Sequence, residues 1–180
     1  MRKIAKEFAD SASTATKGLA SAKSVPKDVA NFLDKLPHKY FEENQVHLFV
    51  VERIKDFDEC LCRVEQFLPC IDNWAVCDGK SPKALLKDEA RFLERIQVWL
   101  RSGHPYTVRF GVNMLMNFFL DERFDACHLK WIAAIDEKRF DDDSTGAAQA
   151  SINAARPTDR YYVQMVIDRH LTGRMFSVPL

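Results

Sequence analysis

Prolines constrain this chain more than any other feature. Pro26, Pro37, Pro69, Pro82 and Pro105 cut it into short stretches whose apolar residues recur at helical spacing. Proline inside a helix removes a backbone donor and clashes with the preceding turn, so each one begins or ends a helix. There are only six glycines, and the apolar runs are long and seldom alternate. Both facts favour helices over strands. Ser24-Val25-Pro26 reads as a helix start, with Val29, Phe32, Leu33 and Leu36 on the apolar face. Pro37 ends that helix, and His38 to Lys55 forms the next, with Phe41, Val46, Phe49 and Val50 inward. Asp56 or Asp58 caps a helix through Leu68, on which Leu61, Val64 and Leu68 recur. A short helix follows over Asp72 to Asp78, and Ser81-Pro82 starts another that runs to Leu86. Phe92 to Leu100 is amphipathic, His104-Pro105 opens the most apolar helix, to Leu120, and Asp125 to Ile135 is short, with Leu129, Trp131, Ile132 and Ile135 inward. A small amphipathic helix is expected over Met1–Ala9, a loop around a weak helix over Lys138–Asp159, and a last helix from Arg160 to Leu171.

Short helices separated by such breaks suggest stacked helix pairs in an all-α domain. Trp74, Arg109 (35 residues on) and Tyr161-Tyr162 are similarly spaced landmarks, and a period of roughly 40 residues marks HEAT-type helical repeats. The expected organisation is one domain over residues 1–180, with 1–24 and 172–180 irregular. No apolar run is long enough to span a bilayer; the longest, Phe110 to Leu120, is interrupted by Asn113 and Asn117. The five cysteines, Cys60, Cys62, Cys70, Cys77 and Cys127, are odd in number and follow no framework spacing. A reducing, cytoplasmic setting fits them.

Formal net charge is zero, which counts against a dedicated nucleic-acid binder, but the charge is uneven. From Tyr40 to Asp78 there are nine acids and three bases; from Lys80 to Arg101 there are six bases and three acids. A local basic face is therefore compatible with a neutral sum.

Three groups of residues carry chemical potential. Trp74 and Asp78 are four apart and share one helix face, where an aromatic ring beside a carboxylate suits a cationic ligand. The plainer alternative is a core tryptophan with Asp78 ending the helix. Arg109 lies among apolar neighbours and needs a partner, because an unpaired buried charge is too costly. Asp78 and a ligand phosphate both suit it, and so does a structural ion pair. Lys80, Lys83 and Lys87 are spaced to line one side of a helix start, for phosphate contact or as a solvated face. Other signals fail. Gly79-Lys80-Ser81 resembles the end of a phosphate-binding loop, but position 74 is Trp where that pattern needs Gly. Neither the cysteines nor His38, His47, His104 and His170 have metal-site spacing, and Cys127-His128 lacks a nucleophile context. Neither a metal nor an organic cofactor is expected.

Several segments together resemble a family. Asp72-Asn73-Trp74-Ala75-Val76-Cys77-Asp78, then Tyr106-Thr107-Val108-Arg109-Phe110-Gly111 with Met114-Leu115-Met116, then Tyr161-Tyr162-Val163-Gln164-Met165, look like compact bacterial members of the AlkD-like DNA alkylation repair proteins. His38-Lys39-Tyr40-Phe41-Glu42-Glu43-Asn44 is similar to that group as well, and the resemblance covers about residues 27 to 167. It implies a right-handed α–α superhelix of HEAT-like repeats whose concave face holds duplex DNA. It further implies hydrolysis of the N-glycosidic bond of cationic N-alkylated purines, with Trp74, Asp78 and Arg109 at the positions of the family's aromatic, carboxylate and arginine. Lys80, Lys83, Lys87, Tyr106, Tyr162 and Arg169 would then contact DNA, and the protein would act as a monomer. The sequence departs from the family in its shorter ends and in Asp168 and Arg169, which stand where a small residue and a second tryptophan are expected. Two other readings compete: a non-catalytic DNA binder on the same scaffold, and a helical-repeat module for protein partners, which an acidic or neutral groove would favour.

Overall fold

The computed structural model describes residues 27–120 and 122–135. The segments expected over Met1–Ala9, Lys138–Asp159 and Arg160–Leu171 lie outside them. All regular structure among the described residues is helical, as the helical spacing of the apolar residues predicts. None of the described helices is long and apolar enough to cross a membrane. The chain divides into two compact units, Met1–Leu93 and Glu94–Leu180.

The first unit begins with α1, Lys27–Leu33, whose Leu33 is fully buried. Helix α2, Phe41–Val51, starts later than Pro37 alone suggests because Glu43 fixes its entry. The Glu43 carboxylate accepts the backbone N–H groups of Lys39 (3.1 Å) and Tyr40 (3.0 Å), satisfying donors that a helix start leaves orphaned. Helix α3, Phe57–Phe67, is capped by Asp56, whose Oδ1 accepts the Glu59 N–H at 2.9 Å. It buries Phe57, Cys60, Leu61, Val64 and Phe67, the expected stripe. Pro69 then forces a 3-10 turn over Leu68–Cys70.

Helix α2 buries a different face from the one expected. Asn44, His47, Leu48 and Val51, at helical spacing, are buried together with Val50, whereas Phe41 and Phe49 are each 45% exposed. Apolar residues surround this helix on most sides, so periodicity could not choose a face. Aromatic packing chose it. The His47 ring stacks on Phe67 of α3 (centroids 4.1 Å apart, 11° between planes), and His47 Nδ1 lies 2.9 Å from His38 Nε2. His38 in turn stacks on Phe32 of α1 at 4.7 Å. This ring column joins α1, α2 and α3 and turns Phe49 outward.

Helix α4, Trp74–Cys77, packs against α2. A 3-10 segment over Lys83–Asp88 packs on α3 and buries Ala84 and Leu85. It replaces the regular helix expected after Pro82. Helix α5, Glu89–Leu100, follows directly and buries Phe92, Ile96, Trp99 and Leu100.

In the second unit, α6 spans Pro105–Phe118. Pro105 occupies the first turn, where its missing N–H costs nothing, and the His104 ring caps the helix by accepting the Thr107 N–H at 3.3 Å. A Cβ at Gly111 would sit 3.1 Å from Leu100 Cδ2 and 3.4 Å from Trp99 Cβ, so glycine permits a close helix crossing there. Trp99 meets Phe110 edge-on at 5.4 Å. Helix α7, Cys127–Ala133, buries Ile132, as expected, and His128. Leu129, Trp131 and Ile135 are half-buried. His128 packs edge-on against Phe119 at 5.5 Å and lies 4.9 Å from Trp131.

Candidate functional site

The site is built on α4. Asp72 Oδ1 accepts a hydrogen bond from Asn73 Nδ2 at 2.7 Å, and Asn73 Oδ1 accepts the Val76 N–H at 2.9 Å. This cap starts the helix at Trp74, two residues later than the sequence suggests. One turn on, the Asp78 N–H donates to the Trp74 carbonyl at 2.9 Å, which puts indole and carboxylate at i and i+4. Val76 and Cys77 anchor the turn from below, exposed 1% and 0%.

Trp74 is 61% exposed, the largest exposure among the large apolar side chains of the described residues. That excludes the reading of Trp74 as a core residue. Asp78, the C-cap, is also exposed. Gly79 lets the chain leave the helix closely, because a Cβ there would lie 3.3 Å from the carbonyl oxygens of both Ala75 and Val76.

Lys80 follows at once. Its Nζ lies 3.4 Å from Oε2 of Glu52, the C-cap residue of α2, and 4.8 Å from the centre of the ring of Phe49 on α2. Trp74, Asp78 and Lys80 thus share one short helix and the turn after it, bordered by Phe49 and Glu52. Sequence reasoning named neither Phe49 nor Glu52 as a site residue. Their i, i+3 spacing was visible, but the assignment of Phe49 to the core concealed it.

Lys83 and Lys87 are exposed on the 3-10 segment. At three residues per turn, two positions four apart point about 120° from each other, so they do not form the single stripe an α-helix would give. Arg109 is half-buried on α6, between the buried Val108 and Phe110, in the second unit. Tyr106, expected at a DNA surface, is buried, with 7% of its surface exposed, and its ring centroid lies 6.2 Å from that of His104. Tyr162 and Arg169 lie outside the described residues. Among the described residues no group of three or more His, Cys, Asp or Glu is placed to hold a metal ion.

Against known proteins, the sequence matches the DNA alkylation repair enzyme family over residues 1–159. The chain belongs to that family, whose fold is a helical repeat. The match includes Trp74, Asp78 and Arg109 and ends before Tyr162 and Arg169. No curated protein and no solved structure matches the chain.

Proposed function

We infer that this DNA alkylation repair protein is a glycosylase that hydrolyses the N-glycosidic bond of cationic N3- or N7-alkylated purines in duplex DNA. The observation that carries the reading is the outward-facing Trp74, 61% exposed, one helical turn from the exposed carboxylate of Asp78. A large aromatic ring with most of its surface in solvent, one helical turn from a carboxylate, suits a ligand that is flat and positively charged.

The chemistry asks little of the protein. An alkylated purine already carries positive charge, so the C1′–N bond breaks with its electron pair moving onto the base, which leaves neutral. Positive charge then develops on the sugar as an oxocarbenium-like centre. Asp78 stabilises that charge and orients the attacking water, whose proton passes to the carboxylate and on to solvent. Trp74 packs against the lesion nucleotide. Arg109 holds a backbone phosphate, while Lys80, Lys83 and Lys87 contact others. The protein acts on its duplex as a monomer in the cytoplasm, with no cofactor.

The test is single-turnover release of methylated purine from alkylated duplex DNA by the wild type and Asp78→Asn. Loss of one transition-state electrostatic contact of this kind lowers the rate about 100-fold or more. Equal release by both proteins sinks the role of Asp78. No release from either, with duplex binding retained, supports the non-catalytic reading, which Asp168 and Arg169 favour by standing where the family has a small residue and a tryptophan.

A further inference from the structure

Lys80 is held in a defined place before any ligand arrives. Phe49 in the last turn of α2 and Glu52 at its C-cap both reach it: the ring centre lies 4.8 Å from the ammonium and the carboxylate oxygen 3.4 Å away. The pair is only partly shielded, with the Lys80 and Glu52 side chains 32% and 30% exposed. Phe49, though a phenylalanine, keeps 45% of its surface in solvent. Lys80 is two residues beyond Asp78, so the pair borders the turn that presents Trp74.

We propose that Glu52 is a built-in competitor for the phosphate that Lys80 binds. Without DNA the ammonium rests between Glu52 and the Phe49 face. When a duplex meets the Trp74–Asp78 turn, the ammonium exchanges the carboxylate for a backbone phosphate, and Phe49 keeps its hold on the cation throughout. This inference rests on the duplex-DNA reading above. The exchange is feasible because an ion pair this exposed is weak, whereas a phosphate contact also releases a condensed counterion. Each binding event must nevertheless break the Lys80–Glu52 pair. Glu52 therefore lowers affinity for DNA in general, and weakly held, undamaged duplex is shed more readily.

The experiment is fluorescence-anisotropy titration of a labelled duplex across a range of salt concentrations. Wild type, Glu52→Gln, Lys80→Gln and the double variant are compared, with circular dichroism confirming that each is folded. Glu52→Gln is expected to bind about 2- to 5-fold tighter than wild type, the size of one exposed ion pair. Lys80→Gln is expected to bind more weakly, with a log–log salt slope shallower by about 0.9, the value of one phosphate contact. The double variant should match Lys80→Gln, because Glu52 acts through Lys80. If Glu52→Gln binds no tighter, or if its gain persists when Lys80 is absent, the competitor role is overturned while the DNA reading stands. If folded wild type binds no duplex, the DNA reading fails and the competitor role fails with it.

Discussion

Acidification to pH 5 should cost this protein about 2 kcal/mol of stability through His47 alone. His47 is completely buried, stacked on Phe67, with Nδ1 paired to His38 and Nε2 buried with no hydrogen-bond partner among the described residues. Burial, then the neighbouring His38, then Arg63 push its pKa from 6.5 down to about 3. The folded chain therefore holds His47 neutral over a range in which the unfolded chain protonates it. A depressed folded pKa gives stability that is present above the unfolded value of 6.5 and is lost as pH falls toward about 3. Between pH 7 and pH 5 the folded histidine stays neutral, so the loss follows the unfolded titration and comes to about 2 kcal/mol. His38, also lowered by burial against an opposing pull from Glu43, acts in the same direction. Urea unfolding followed by circular dichroism at pH 7, 6 and 5 would measure it in wild type and His47→Leu. The variant should show a flatter pH dependence by about 2 kcal/mol, whatever its stability at pH 7. Equal pH dependence in the two proteins would refute the account of His47 as a neutral buried ring.

The remaining predictions concern the site and its supports. Removing the α4 cap by Asn73→Ala should cost about 1 kcal/mol in a denaturant melt, and it should lower base release as well, because the cap fixes where Trp74 begins its turn. Gly111→Val should destabilise by about 1–3 kcal/mol, read as a lowered Tm, because the added atoms meet Leu100 and Trp99. Trp74→Ala should leave stability within about 0.5 kcal/mol of wild type, while removing most of the iodide-quenchable tryptophan fluorescence and the excision activity. A thiol reagent followed by mass spectrometry should label the exposed Cys62 first in the folded protein. Cys60 should resist, being buried, its thiol pushed up to about 12 by burial and by Asp56 and Glu59.

Much of this protein was determined by local sequence. Proline positions and the side-chain cap at Asp56 act within a few residues, so the helical class and several helix starts could be read directly, whereas the Asn73 cap starts α4 two residues later than expected. The one-turn separation of Trp74 and Asp78 was legible for the same reason, since it follows from their i, i+4 spacing on any helix. Which face each helix buries depended on partners distant in sequence. Helix α2 offered apolar residues on most sides, and only the rings of Phe32 and Phe67, with His38, selected His47 for the interior and released Phe49 to solvent. That rotation placed Phe49 and Glu52 against Lys80. Exposure of Trp74 was decided in the same way: a tryptophan followed by Ala75, Val76 and Cys77 fits a core equally well until the fold shows Val76 and Cys77 filling it instead. Local hydrogen bonds and steric limits are short-ranged and therefore written in the sequence, whereas burial is settled among side chains that meet only in the folded chain.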